Sequence, residues 1–458
     1  MFTTKVGLNI LKFFDKVRSA DTRSKRAFKN VSVSFVANVV SLTITFIMVP
    51  ISLKYVGSTE YGVWLTISSV IAWFSYFDIG LGNGLRNKLA VSIAENNFEK
   101  AKTYISSAYF LISAISMTMF VLFFIVANFV SWNSILNTHF LSNELLYKIV
   151  IIVFFFFCLG FSMKTISAIL EALQLYAIKD IISVATQLLG LIAILILVNT
   201  TEGSLLNLSF VYGSQAAIGL FIASVVLFSG KLRHLKPTFS YIKIKESIPL
   251  INLGAWFFLN QILYLITTQI SLFLVVHFFG PGDVTVFNLA KNYMAISSML
   301  FIMILTPFLS AFTEAYTKAD FQWIKSTMNK ILFVFAGAGF LVGFMILVYK
   351  IFFNLWVQGK VMPDIILIIT LGIFGILQMY SSIYTLFLNG IGKIRLQFFT
   401  LLFSAILFIP LVYLFYRFGF GLSSLVIPGI IFGVINSYIY RRQFSLIMQQ
   451  NAKGIWNK

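Results

Sequence analysis

The chain has 458 residues, of which 59% are hydrophobic and 11% charged, with a mean hydropathy of +0.92 and a formal net charge of +19. Soluble domains are nearer to half apolar and one quarter charged, so a water-soluble core could not bury this much apolar surface. The composition therefore excludes a soluble globular protein and makes the lipid bilayer the main solvent.

Cysteine and histidine are too few and too scattered to hold a metal. The single cysteine, Cys158, excludes an intramolecular disulfide, and the three histidines lie far apart in the sequence without cysteine partners. A structural metal site needs several such ligands at short spacing. We expect no metal and no cofactor.

Apolar runs of roughly 20 residues, broken by polar clusters, predict about twelve transmembrane helices. The predicted fold class is therefore all-α, a polytopic membrane protein. The predicted spans are 30–53, 61–80, 103–131, 147–170, 181–199, 205–229, 248–276, 284–312, 328–353, 364–388, 397–416 and 422–440.

Lysine and arginine predict the orientation of these spans. A cytoplasmic N-terminus places 28 of the 34 basic residues on the inner side, counting the adjoining span ends, and leaves five outside. This is the positive-inside pattern of membrane proteins, so the net charge reads as a topology signal. Because the charges are spread over seven short loops with no basic domain, nucleic acid is not an expected partner. Both termini are predicted to be cytoplasmic, and the basic N-terminal segment would suit anionic membrane lipids.

Three pairs of segments recur at offsets of about 220 residues. Residues 52–65 match 274–289, residues 95–105 match 317–328, and residues 170–180 match 386–396. In the first pair Gly57 and Gly280 each end an apolar helix, and an acidic residue follows three positions later. The constant spacing predicts two six-helix bundles of like orientation. The predicted division is a basic cytoplasmic segment 1–29, a bundle 30–229, a cytoplasmic linker 230–247, a bundle 248–440 and a cytoplasmic tail 441–458.

Two bundles leave a cleft, and polar stripes on spans one, seven and eight are predicted to line it. Strong hydrogen-bonding groups are costly against lipid, so a wet cavity is favoured over simple helix packing. The amide residues of these stripes are Asn38, Asn260, Gln261, Gln269, Asn288 and Asn292.

Lys291 is the one basic residue placed well inside a predicted span. A lysine near mid-membrane costs about 2.5–3.5 kcal/mol on insertion scales, so it usually points into a cavity or at a partner. The alternative is that it snorkels to the outer headgroups. A cation in the cleft would suit an anionic substrate such as a lipid-linked pyrophosphate.

The inner end of span two contains Gly80, Gly82 and Gly84, followed by Arg86 and Lys88. Three glycines suggest a phosphate-cradling loop, but no strand precedes them and no GK[ST] follows, so a nucleotide site is not expected. Arg86 either attracts an anionic headgroup at the cytoplasmic mouth or belongs to the positive-inside charge. Asp78, in the same stretch, is the carboxylate considered for ion coupling; a helix-end role is the alternative.

The Gly-x-x-Glu-Tyr-Gly element (Gly57, Glu60, Tyr61, Gly62), followed by Asp78-Ile-Gly-Leu-Gly and Arg86, resembles the polysaccharide flippases that export O-antigen repeat units. These belong to the multidrug/oligosaccharidyl-lipid/polysaccharide exporter superfamily. The resemblance implies two six-helix bundles forming a V, with spans one, two, seven and eight lining the cavity. It also implies a bacterial inner-membrane protein whose substrate is an undecaprenyl-pyrophosphate-linked oligosaccharide, moved from the inner to the outer leaflet by alternating access.

Roles follow for the candidate residues under this resemblance. Arg86 and Lys88 would meet the pyrophosphate at the cytoplasmic mouth, and Lys291 would hold it in the cleft. The amides of spans one and seven would bind the sugar: Asn38, Asn260, Gln261 and Gln269. Other polysaccharide assembly proteins are conceivable partners.

Three rival functions stay open. A multidrug or cation antiporter shares the architecture but would ordinarily need an acidic residue in the membrane, and the chain offers few. A lipid II flippase often carries more spans than the twelve or so predicted for this chain. A glycan polymerase or ligase usually needs an ample charged external loop, whereas the longest outside loop, about 132–146, offers only His139 and Glu144. An enzyme is therefore not expected.

Overall fold

The computed structural model describes residues 22–75, 81–138, 140–243, 263, 270–306, 308–393 and 395–457. These residues form helices, turns and connecting segments, with no strand among them. The α-helices, numbered here in chain order, are α1 Thr22–Trp73, α2 Leu81–Ala94, α3 Phe98–Ala127, α4 Trp132–Ile135, α5 Asn143–Met163, α6 Thr165–Ala172, α7 Tyr176–Thr200, α8 Leu205–Ser229, α9 Ser271–Phe279, α10 Pro281–Leu305, α11 Phe308–Thr317, α12 Phe321–Val357, α13 Ile365–Gly390, α14 Arg395–Arg417 and α15 Ile427–Met448.

Ten helical segments in the described part of the chain are long and apolar enough to cross a membrane. The first of them, Val33–Trp73, covers two predicted spans because it consists of two helical stretches that meet at a kink at Gly57. The other nine each match one predicted span, and the remaining span, 248–276, lies mostly outside the described residues. Large apolar side chains on these helices stay exposed, as expected of surfaces that face acyl chains. The all-α membrane prediction is confirmed.

The predicted end of span eight is wrong. The span was expected to run over 284–312, but α10 ends at Leu305 and α11 begins separately at Phe308. The sequence has proline at position 307. Proline lacks the backbone N–H that would continue the helix ladder, which gives a physical reason for a break here.

The chain divides into two compact units. The first comprises Met1–Tyr55, Asp78–Val130 and Lys148–Ala255, and the second comprises Val56–Phe77, Ser131–Tyr147 and Trp256–Lys458. The second unit thus includes the segment 56–77 from the N-terminal part of the sequence. The predicted bundle and linker boundaries stay a prediction.

The two matched glycines share an unusual backbone conformation. Gly57 has φ 80° and ψ 170°, and Gly280 has φ 99° and ψ 170°. This region of the map is essentially restricted to glycine, because a Cβ would collide with the backbone. The same local break therefore ends an apolar helix at both positions.

The second matched pair repeats a helix-ending turn and the helix start that follows it. Asn96 and Ala319 have φ 56° and 55°. The N–H of the next residue then bonds back five positions in both cases, from Asn97 to Ser92 O and from Asp320 to Ala315 O, each at 2.9 Å. This is the Schellman closure of a helix. The same two residues also cap the next helices, since each side chain accepts a 3.0 Å hydrogen bond from the backbone N–H three positions on.

The third matched pair ends its helices in the same way. Gln174 (φ 57°) and Gly392 (φ 74°) are followed by residues whose N–H groups again bond back five positions. Each of the three matched pairs therefore shares its own local conformation at a helix end, which supports a duplicated chain.

The motif that suggested the family places its residues at a close helix contact inside the second unit. Gly62 faces the start of α10 so closely that an added Cβ would overlap the carbonyl oxygen of Pro281. One turn away, the Thr285 hydroxyl donates a 2.6 Å hydrogen bond to Ser58 O. Tyr61 is 4% exposed. Glycine is required at position 62 because two backbones meet there.

Candidate substrate cavity

A cavity of about 810 Å³ lies within the second unit. Its walls come mainly from α10, α13, α14 and α15, with Ser271 of α9 added. Its volume falls in the range of about 300–1,000 Å³ typical of ligand pockets.

Lys291 lines this cavity. The residue is on α10, and Ala295, Ser298 and Ile302 line the cavity from the same helix at positions i+4, i+7 and i+11. That spacing places the four residues on one helix face. Asn288 and Asn292, the two amides predicted for the polar stripe of span eight, are partly buried on α10 and lie outside the cavity lining.

Helix α13 supplies a polar face that the sequence analysis overlooked. Its polar cavity-lining residues follow the spacing i, i+3, i+4, i+7 and i+11, which is again one helix face. The same spacing is present in the sequence of the predicted span 364–388 and the residue that follows it. The residues are Gln378, Ser381, Ser382, Thr385 and Asn389.

Helices α14 and α15 complete the polar lining with Gln397, Asn436 and Tyr440. Gln397 Nε2 is buried and has no hydrogen-bond acceptor among the described residues. The Tyr440 hydroxyl, in contrast, is engaged with Thr400 Oγ1 at 2.7 Å. A buried amide donor without an acceptor is uncommon, and a bound ligand or water is one way to satisfy it.

The charge of the cavity is one-sided. Lys291 is basic, and none of the described residues that line the cavity is Asp or Glu. An ammonium group surrounded by amides and hydroxyls can bind a phosphate together with neighbouring hydroxyl groups. The same set does not provide the carboxylate that a cation site requires.

Arg86 and Lys88 lie on α2, in the first unit. Arg86 Nη1 is 3.5 Å from Glu171 Oε2, and the Arg86 side chain is 44% exposed. Glu171 Oε1 also accepts a 2.9 Å bond from Lys179 Nζ. The guanidinium of Arg86 therefore has an acidic neighbour with which any anionic ligand would compete.

Of the remaining predicted residues, the structure describes only Asn38. Asn38 is partly buried on α1, and one turn further along Ser41 Oγ accepts a 3.2 Å bond from Gln187 Nε2, a polar contact not foreseen from the sequence. The other four predicted residues lie outside the described part of the chain: Asn260, Gln261, Gln269 and Asp78.

The described residues thus form a many-spanned helical membrane protein with a polar cavity inside the second unit, and solved structures of the same fold are known. The chain resembles the inward-facing conformation of a multidrug resistance MATE family transporter of the MOP superfamily, with a TM-score of 0.70 at 14% identity over 92% of this chain and 96% of the other. A MOP superfamily transporter from Pyrococcus furiosus gives a TM-score of 0.60 at 12% identity, over 94% and 98% of the two chains. At such identities the likeness describes the fold alone.

Sequence comparison is more specific. Residues 27–313 match the family described as polysaccharide biosynthesis protein, and the chain belongs to this family. It is 23% identical to a putative O-antigen export protein of Yersinia pseudotuberculosis over 88% of this chain and 91% of the relative. It is 22% identical to a putative O-antigen transporter of Salmonella typhimurium strain LT2 over 75% and 79% of the two chains. The predicted resemblance to the polysaccharide exporters is confirmed.

Proposed function

We propose that this protein translocates an undecaprenyl-pyrophosphate-linked oligosaccharide, a repeat unit of O-antigen or a similar polysaccharide, from the inner to the outer leaflet of the bacterial plasma membrane. Support comes from the family, from the export and transport roles in the names of its relatives, and from the MOP fold. The lysine-containing cavity of the second unit is the observation that links the proposed function to particular residues.

In this proposal Lys291 binds a phosphate of the pyrophosphate, since an ammonium group forms charge-assisted hydrogen bonds to phosphate oxygens. The amides and hydroxyls of α13, α14 and α15 bind the hydroxyl-rich sugar next to it. The prenyl chain stays in the bilayer. Alternating access then exposes the bound headgroup to one side of the membrane and afterwards to the other.

The other predicted residues keep proposed roles. Arg86 and Lys88 receive the pyrophosphate at the cytoplasmic side, with Glu171 as the group that the ligand displaces from Arg86. The amides Asn38, Asn260, Gln261, Gln269, Asn288 and Asn292 contact the sugar elsewhere along the path. Asp78 remains the proposed carboxylate for ion coupling.

The cavity chemistry argues against the cation-antiporter alternative. A site for a cationic drug or a coupling cation is stabilised by carboxylates, and the described lining offers an ammonium group instead. A cation placed there would meet a like charge in a low-dielectric setting, which is strongly unfavourable.

The experiment is complementation of a bacterial strain that lacks its own repeat-unit flippase. Wild-type protein should restore surface polysaccharide, and Lys291→Ala and Lys291→Gln should lower it at least tenfold at equal protein level, with partial rescue by Lys291→Arg. The matched control is Lys350→Gln, which removes an exposed lysine on α12 outside the cavity. Normal export by both Lys291 variants would refute the role of this residue.

Replacing the protein in its own host by the Lys291→Gln variant separates flippase from polymerase function. Loss of a flippase leaves lipid-linked repeat units on the cytoplasmic leaflet, whereas loss of a polymerase leaves single units displayed outside. Inaccessible repeat units in cells that carry Lys291→Gln are the expected result. Single units at the surface would contradict the proposed function itself.

A further inference from the structure

A second pocket, of about 630 Å³, lies in the same unit and is separate from the cavity of Lys291. It is formed where α12 begins and α15 ends, with Ile383 and Tyr384 of α13 between them. The two sites share α13 as a wall: Ser382 and Thr385 face the cavity, and Ile383 and Tyr384 face this pocket.

Two cations from neighbouring helices line the pocket. Lys325 comes from α12 and Arg441 from α15, and both residues are exposed. Arg441 Nη1 donates a 3.3 Å hydrogen bond to Tyr380 Oη, which holds the guanidinium against α13. None of the described residues lining the pocket is acidic. The remaining polar groups are neutral hydrogen-bonding side chains: Gln322, Asn329, Ser445 and Gln449.

The rest of the lining is apolar. It consists of Phe321, Met328, Leu332, Phe444 and Met448, together with Ile383 and the ring of Tyr384. The pocket therefore combines a charged and an apolar part, as a bound headgroup with attached acyl chains requires. Basic pockets between transmembrane helices on the cytoplasmic side are a recurring form of anionic lipid site.

An exposed apolar stripe continues from the pocket along α12. Phe333 and Phe340 are both 81% exposed and follow Asn329 at i+4 and i+11, on the same helix face. From Asn329 to Phe340 the helix rises roughly 16 Å, which is about one leaflet of a hydrocarbon core of about 30 Å. An acyl chain that leaves the pocket would thus find an apolar path of matching length.

We infer that this pocket binds the headgroup of an anionic phospholipid of the inner leaflet, with phosphate oxygens on Lys325 and Arg441 and an acyl chain along Phe333 and Phe340. The inner-leaflet position follows the predicted orientation, in which the start of α12 and the end of α15 are cytoplasmic. The site is independent of the transported substrate and would be occupied in the resting protein.

The test uses the full chain purified in a non-ionic detergent and titrated with phosphatidylglycerol, with bound lipid measured by native mass spectrometry and the melting temperature measured in parallel. The double variant Lys325→Gln/Arg441→Gln should bind about thirtyfold more weakly, which is about 2 kcal/mol at 1.4 kcal/mol per tenfold. The matched control is Lys330→Gln/Arg442→Gln, which removes two exposed cations of the same helices outside the lining. This control should bind within threefold of wild type, and Lys325→Arg/Arg441→Lys should retain binding.

Each contrary result has a definite meaning. If Lys325→Gln/Arg441→Gln and the control double variant lost phosphatidylglycerol binding equally, the lipid would be attracted to the basic surface in general. That result would overturn the proposed site. If phosphatidylcholine bound as tightly as phosphatidylglycerol, the pocket would not select anionic lipids, and the proposal would be wrong. Competition by inorganic phosphate at the same concentration would make the pocket a free-anion site. Displacement of phosphatidylglycerol by trace undecaprenyl pyrophosphate would assign the pocket to the substrate; the export phenotype of Lys291 tests the proposed function separately.

Discussion

The contact at Gly62 yields a prediction whose size can be worked from the structure. In Gly62→Ala the new Cβ would overlap the carbonyl oxygen of Pro281 and come within 3.1 Å of Thr285 Oγ1. The nearest obstacle is backbone, which cannot rotate away as a side chain can. The two helical segments must therefore move apart.

Three effects set the magnitude. Overpacking of this kind costs about 1–3 kcal/mol. The movement also weakens the 2.6 Å bond from Thr285 to Ser58 O, and such a bond contributes about 1 kcal/mol. Alanine is more favourable than glycine in a helix interior by about 1 kcal/mol, which offsets part of this loss. We expect a net loss of about 1–3 kcal/mol in the free energy of unfolding.

The assay is thermal unfolding of purified protein in detergent, combined with surface polysaccharide in the complemented strain. The matched control is Gly337→Ala, where an added Cβ meets nothing within 4 Å; its melting temperature should stay equal or rise. Thr285→Val and the double variant with Gly62→Ala should be non-additive, because both disturb one contact. A Gly62→Ala protein that melts like wild type, with additive behaviour in the double variant, would refute the reasoning.

Two further predictions concern local features. Gly57→Ala and Gly280→Ala should each lower the free energy of unfolding by about 1–3 kcal/mol, because both positions have glycine-only dihedral angles although the space around them is open; unchanged melting temperatures would contradict this. Gln397→Leu should leave the melting temperature unchanged or raise it, since Nε2 has no acceptor in the described structure, while export falls if the amide binds sugar. The control is Gln443→Leu, which removes a 3.2 Å bond to Trp456 O. It should lower the melting temperature and leave export unchanged. Equal behaviour of the two variants would mean that Gln397 is not part of the site.

Much of the fold could be predicted from the sequence. A bilayer admits few backbone arrangements, so the length and hydropathy of each run nearly determine its helix. The helix ends at Gly57 and Gly280 could likewise be predicted, because a positive φ favours glycine and each of these glycines follows an apolar run. The end of span eight was missed, since hydropathy continues past Leu305 although the helix does not.

The sequence by itself also singled out Lys291, because a lysine within an apolar span is costly unless its surroundings are polar. It did not reveal those surroundings. Gln378, Gln397 and Asn436 come from three helices separated along the chain, and only packing brings them around one cavity with Lys291. Nor could spacing reveal that Asn288 and Asn292 lie outside that cavity, or that Arg86 faces Glu171. Helix periodicity states which residues share a face; which neighbour that face meets depends on contacts between distant segments, and these arise only in the tertiary structure.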